Sequence, residues 1–168
     1  MPLPDRPVSH AAIESVWGQT IHDYTFAPTG FDLDTATTRT VNDTAGGQKC
    51  HLDTVNQDPA GFLDAGNDQA EVPTGGEGLY ILHVSLNSVS GTAGDETRVF
   101  IYVNGVAKAT GLEDNAGGTN VTVTAFTIEE LSAGDILTIF AQKKGSGTNP
   151  TVHVTSFKGV RIGAEFGA

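Results

Sequence analysis

The sequence has a single cysteine, Cys50, and no long apolar run. One cysteine excludes an intrachain disulfide framework and any cysteine-rich zinc site. Because no stretch of about 18 apolar residues occurs, the sequence contains no candidate membrane-spanning helix. The first residues also lack the apolar segment of a secretory signal. We therefore expect the chain to be made and folded in a cytoplasm.

Basic residues are scarce as well. Nine Lys and Arg stand against twenty Asp and Glu, which leaves a formal net charge of −11. A surface of that sign repels nucleic acid phosphates and anionic membranes, so we expect neither as a partner. The acidity itself predicts a soluble chain.

Catalytic and metal-binding motifs are missing too. The five histidines form no His-x-His pair and no His-Glu-x-x-His motif, and no G-x-S-x-G sequence is present. Carboxylate pairs such as Asp32 and Asp34 lack the spacing of an EF-hand and are predicted to be surface acids. Cys50, within a predicted strand, is expected to be a small core residue rather than a reactive thiol. The sequence thus predicts a non-enzyme without a cofactor or a metal.

The residues that are abundant favour an all-β fold. Glycine occurs 21 times, and Val, Ile, Thr and Phe recur in short bursts separated by turn residues. Asn104-Gly105 predicts a tight hairpin turn, and Gly134-Asp135 marks another. Six or more strands at short spacing, without helix-length crossovers, predict an antiparallel sandwich or jelly roll. The main predicted strands are "KCHLDT", "GLYILHVSL", "TRVFIYVNG", "NVTVTAFTI", "DILTIFAQK" and "PTVHVTSFKGVRIG".

The only predicted helix lies at the start of the chain, over residues 8–21. Ser9 can cap it, and Ile13, Trp17 and Ile21 fall on a single apolar stripe. This stripe either folds back on its own domain or docks on a partner. Residues 23–47 are predicted to be an extended connector with one or two short strands.

The strand at residues 79–86 is apolar on both of its faces. Leu79, Ile81 and His83 alternate with Tyr80 and Leu82, so neither face is typical of a solvent-exposed sheet. A sheet that is apolar on both faces must be covered on its second face. Another subunit is the simplest candidate.

Four blocks of the sequence resemble the jelly-roll domain of tumour necrosis factor ligands and complement-type globular heads. In order they are "AEVPTGGEGLYILHVSL", "VFIYVNG", "LSAGDILTIFAQKKGSG" and "SFKGVRIG". The resemblance covers roughly residues 48–163. The resemblance implies a ten-stranded, two-sheet antiparallel jelly roll that assembles as a homotrimer. It places His83 near the threefold axis, where many family members have an aromatic residue. The implied trimer interface consists of Leu79, Ile81, His83, Tyr102 and Phe140.

A chain of this kind without a signal, an anchor or a collagen-like run resembles the version carried by tailed bacteriophages. On that basis residues 1–35 are expected to be a helical attachment arm and residues 36–168 the jelly-roll domain. Ile13, Trp17 and Ile21 would attach the arm to a capsid. The resemblance therefore predicts a homotrimeric decoration (cement) protein on the virion surface, which binds the major capsid protein or another virion protein and stabilises the head shell.

The alternative function is a receptor- or glycan-binding module at the tip of a head or tail fibre. Such tips usually need a long shaft, for which 168 residues leave no room. Loops 87–97 and 111–119 contain no aromatic residue on which a sugar could stack. Both observations favour the decoration protein.

Overall fold

The computed structural model describes residues 30–89, 92–114 and 120–163. Within these ranges the chain forms twelve strands and one short 3-10 helix, Ala65–Asn67. The all-β prediction is confirmed. The count is two more than the implied ten, and three of the twelve strands are only two residues long. In chain order the strands are β1 (Gly30–Asp34), β2 (Arg39–Thr40), β3 (Gln48–Lys49), β4 (Thr54–Gln57), β5 (Leu63–Asp64), β6 (Gln69–Glu71), β7 (Gly78–Val89), β8 (Glu96–Val103), β9 (Val106–Asp114), β10 (Val121–Leu131), β11 (Ile136–Lys144) and β12 (Thr151–Gly163).

The strands form two antiparallel sheets. Sheet I has the order β10-β7-β12-β1-β4, with β2 also paired to β12. Sheet II has the order β5-β6-β11-β8-β9, with β3 also paired to β11. From β9 onward the chain changes sheet at every strand, which is the connection pattern of a jelly-roll sandwich. The predicted architecture is thereby confirmed.

The core lies between the two sheets and is rich in aromatic residues. The ring of Phe31 lies 4.8 Å from that of Phe62 and 5.0 Å from that of Phe157, measured between centroids. Tyr80 packs against Phe62 at 6.0 Å, and its hydroxyl donates to the carbonyl oxygen of Gly76 at 2.6 Å. Tyr80 can be fully buried because its polar end keeps a hydrogen-bond partner.

The hairpin between β8 and β9 has the predicted Asn104-Gly105 turn. Both residues have positive φ angles, 50° and 77°, as a tight hairpin of this type requires. The Asn104 side chain accepts a hydrogen bond from the Ile136 amide at 2.9 Å and donates one to the Asp135 carboxylate at 2.8 Å. The turn is therefore also fastened to the start of β11.

The described part of the chain already begins in sheet I. β1 pairs with β12, with Gly30 opposite Val160, and its Leu33 side chain is fully buried. Residues 30–34, predicted from the sequence to be the end of the arm, contribute a strand and two core residues, Phe31 and Leu33, to the jelly roll. The predicted helix, with Ile13, Trp17 and Ile21, lies outside the described residues.

Strands β9 and β10 belong to different sheets but approach each other closely at Gly111. A Cβ atom at this position would lie 1.8 Å from the backbone oxygen of Thr124. We expect Gly111→Ala to lower the free energy of unfolding by roughly 3 kcal/mol, since backbone must move to admit the methyl group. Urea denaturation at a fixed protein concentration measures the loss.

Gly134→Ala is the matched control for this substitution. Gly134 has a φ of +84° but no atom within 4 Å of the added Cβ. Only backbone strain remains there, and we expect a loss of about 1–2 kcal/mol. Equal losses at the two positions would show that the sheets do not approach closely at Gly111.

Candidate functional site

Along β7, side chains alternate between the core and the outer face of sheet I. Tyr80, Leu82 and Val84 are fully buried between the sheets. Ile81 and His83 occupy the opposite positions of the alternation and face outward. The outer face of a two-sheet sandwich normally carries polar residues, so an apolar side chain at the outward position of Ile81 is unusual.

The strands on both sides of β7 bring further apolar side chains to this outer face. Ile128 of β10 and Val160 of β12 lie opposite Ile81, and Phe126 of β10 lies opposite His83. Phe126, Ile128 and Val160 are 72%, 56% and 54% exposed. Contiguous exposed apolar surface of this kind marks an interaction site. We call this surface the apolar patch, and its members are Leu79, Ile81, Phe126, Ile128, Val160 and Ile162.

The other end of the same face is polar. After His83, the next outward-facing residue of β7 is Ser85. Thr124 of β10 lies directly opposite Ser85. β12 places Lys158 opposite His83, and the Lys158 ammonium lies 3.2 Å from the Asp32 carboxylate of β1. His83 and Lys158 therefore form the border between the apolar patch and the polar end.

The structure separates the five predicted interface residues into two groups. Leu79, Ile81 and His83 lie together on the outer face of sheet I. Tyr102 and Phe140 lie on the outer face of sheet II, on the opposite side of the sandwich, with ring centroids 4.8 Å apart. The five residues do not share one face, because β8 and β11 pair with each other and not with β7.

Tyr102 and Phe140 are instead half-buried beneath neighbouring segments of their own chain. The Tyr102 hydroxyl donates to the Gly46 carbonyl oxygen at 3.3 Å. Phe140 lies opposite Lys49 of β3 on one side and Phe100 of β8 on the other. In the same loop as Gly46, the carbonyl oxygen of Thr44 accepts a hydrogen bond from the Gln142 side chain at 2.8 Å. This aromatic cluster is already partly covered within the single chain.

Four members of the apolar patch are absent from the residues predicted from the sequence: Phe126, Ile128, Val160 and Ile162. A signal for two of them exists in "TAFTIEE", where Phe126 and Ile128 alternate with Ala125 and Thr127. Alternation alone cannot tell which of the two sets faces the core. The strand register decides it, since Ala125 lies opposite the buried Val84 and Phe126 lies opposite the outward His83.

The described residues offer little support for other kinds of site. They include no group of three or more His, Cys, Asp and Glu side chains arranged to hold a metal ion. In the same ranges, no helix is long and apolar enough to cross a membrane. Cys50 is buried, and burial raises the pKa of its thiol to about 12, so the nucleophilic thiolate is not formed near neutral pH. The apolar patch remains the main candidate for a functional surface.

Solved structures of other proteins share this architecture. The globular domain of zebrafish complement 1qA protein superposes with a TM-score of 0.56 at 15% identity, covering 81% of this chain and 98% of that one. Eiger TNF from S. frugiperda gives 0.53 at 11% identity, covering 82% of this chain and 94% of its own. Murine APRIL, crystallised at pH 5.0, gives 0.51 at 14% identity, covering 74% and 97%.

At these identities the likeness defines the fold. The chain has the jelly-roll fold of tumour necrosis factor-like and complement globular-head domains, as the four sequence blocks predict. No protein-family model matches the chain, and no curated protein sequence does so either.

Proposed function

We propose that this protein is a homotrimeric structural and binding module, not an enzyme, and that its subunits associate through the apolar patch. The observation that carries the proposal is the continuity of the patch across β10, β7 and β12. Side chains directly opposite each other on adjacent strands lie roughly 5 Å apart, so Ile128, Ile81 and Val160 form one surface across the three strands.

Sister subunits are the occupant we propose for this patch. The trimeric assembly implied by the resemblance would cover the outer face of a sheet, and the fold likeness supports that arrangement. The polar end of the same face, with Ser85 and Thr124, and the net charge of −11 make unspecific stacking of whole chains unfavourable. Association would then be confined to the apolar end.

For the role of the trimer, we propose decoration of a bacteriophage capsid. The chain would be made in the host cytoplasm and located on the virion surface, bound to the major capsid protein. The segment before β1 would be the attachment arm, with Ile13, Trp17 and Ile21 as its apolar contacts. The position of Gly30, the first residue of β1, supports this role. Gly30 lies opposite Val160 of the apolar patch, so the three arms would leave the trimer beside its subunit interface.

The experiment compares the full chain with its Trp17→Asp variant. Oligomeric state is measured by sedimentation velocity, and binding is measured to capsids of the encoding phage from which the protein has been removed. We expect both proteins to be trimers, and the variant to bind capsids at least about tenfold more weakly, because the substitution removes an apolar anchor.

Ser15→Asp provides the matched control, since Ser15 falls on the opposite side of the predicted helix from Trp17. It should bind capsids like the unmodified chain. A monomeric chain would overturn the proposed assembly. Trimers that bind no capsid, or that bind equally well with Trp17→Asp, would overturn the proposed attachment. A monomer that trimerises only after Trp17→Asp would overturn both the assembly and the attachment, since the arm would then cover the patch of its own chain.

A further inference from the structure

On the described outer face of sheet I, β7 has one ionisable side chain that lies directly opposite a β10 residue of the apolar patch. That side chain is His83. Phe126 lies directly opposite it, and Ile81 precedes it in the outward positions of β7. Imidazole is the side chain that ordinarily changes charge between about pH 5 and pH 8. The position therefore combines an apolar environment with a group that can acquire a charge under mild conditions.

The charged groups near His83 on this face would not offset a positive charge on its imidazole ring. On β12, Lys158 lies directly opposite it. The carboxylate nearest to that pair is Asp32 of β1, and it already contacts the Lys158 ammonium at 3.2 Å and accepts from the Ser156 hydroxyl at 3.2 Å. Glu130 of β10 is further along the face, opposite Leu79.

The remaining described neighbours of His83 on this face are uncharged. On β10 these are Thr124 and Ile128, one outward position either side of Phe126; on β7 they are Ile81 and Ser85. Like charges placed directly opposite on adjacent strands are destabilising. Covering the face with another subunit also removes water, which penalises the charged form of an imidazole.

We infer that His83 makes the assembly pH-sensitive: the subunits separate as the pH falls from about 8 to about 5. This inference rests on the proposed function, because it requires the apolar patch to be buried between subunits. The sign follows from the hydration of the imidazolium. Lys158 faces His83 in both states. In separated subunits water hydrates the charged ring and screens it from Lys158, whereas in the trimer both effects are weakened, so proton uptake favours separation.

The test is sedimentation velocity on the purified full chain over a concentration series from about pH 8 to about pH 5, with far-UV circular dichroism at each pH. For the unmodified chain, we expect the concentration of half-assembly to rise at least about tenfold across this range. His83→Gln, which is neutral throughout, should change by less than about twofold. His83→Phe repeats the comparison with an aromatic ring, in case the amide disturbs packing at pH 8.

The control is His51→Gln. His51 lies outside the apolar patch and contacts Asp68 at 3.0 Å, so its removal should leave the pH response of assembly unchanged. A trimer that persists unchanged at pH 5, or that dissociates identically in both His83 variants, overturns this inference and leaves the proposed function standing. A chain that is monomeric at pH 8 overturns both.

Discussion

Replacing Phe126 with lysine is expected to convert the proposed trimer into monomers that keep the jelly-roll fold. Phe126 is the most exposed large apolar side chain among the described residues, so its ring contributes little to the core of a single chain. Covering such a ring stabilises an assembly by about 1.5–3 kcal/mol per subunit. Lysine would forfeit this contribution and add a buried charge, which costs several kcal/mol more unless it is paired.

Sedimentation velocity at micromolar concentration measures the change in mass, and far-UV circular dichroism confirms the fold. Val106→Lys is the matched control. Val106 is 60% exposed but lies in the hairpin between β8 and β9, outside the apolar patch. It should remain a trimer. If Phe126→Lys also remains a trimer, or if Val106→Lys dissociates equally, the apolar patch is not the subunit interface.

Removing the charge of Asp95 is expected to cause the second large effect, on folding stability. Lys143 and Asp95 form an ion pair at 3.4 Å, with side chains only 3% and 9% exposed. The same Asp95 carboxylate accepts a hydrogen bond from the Gly147 amide at 3.0 Å, and the Lys143 ammonium donates to the Gly147 carbonyl oxygen. Together they fasten the segment before β12 to the segment before β8.

Asp95→Asn leaves the Lys143 ammonium buried without its counterion, and we expect a loss of about 3–5 kcal/mol in the free energy of unfolding. Urea denaturation in the Phe126→Lys background measures it without interference from subunit dissociation. The double variant Asp95→Asn with Lys143→Met should lose less, since no charge is then left buried. A double variant as unstable as the single one would contradict this account.

The control is the adjacent exposed pair, Lys144 and Asp43. Their charged groups approach even more closely, to 2.6 Å, but the side chains are 40% and 47% exposed. Water screens such a pair, so Asp43→Asn should cost no more than about 1 kcal/mol. Similar losses for Asp95→Asn and Asp43→Asn would mean that burial does not control the strength of these pairs.

Much of the fold follows from local patterns in the sequence. Asn104-Gly105 supplies the positive φ angles of a hairpin whatever surrounds it, and the predicted turn is present. Alternation in "GLYILH" requires Tyr80 and Leu82 to lie on one face and Ile81 and His83 on the other, because successive strand residues point in opposite directions. The resemblance of the four motif blocks, in their order, to tumour necrosis factor-like domains predicts the jelly roll.

Other features could not be predicted, because they depend on which distant strands become neighbours. β7 lies between β10 and β12 in sheet I, and this pairing brings Phe126, Ile128 and Val160 beside Ile81. Tyr102 resembles Ile81 in its sequence context but lies on the other sheet. Asp95 appears in a glycine-rich, polar stretch that is typical of an exposed loop, and Lys143 ends a predicted strand, yet the two charged side chains are buried together.

The sequence by itself determined the all-β class, the turns and the division of each strand into two faces, since each depends on residues adjacent along the chain. The tertiary structure decided which face of each strand meets the core and which side chains join across strands. Hydrogen-bond register between segments far apart in sequence sets those contacts. The apolar patch, with His83 at its border, exists only because that register aligns three separate strands.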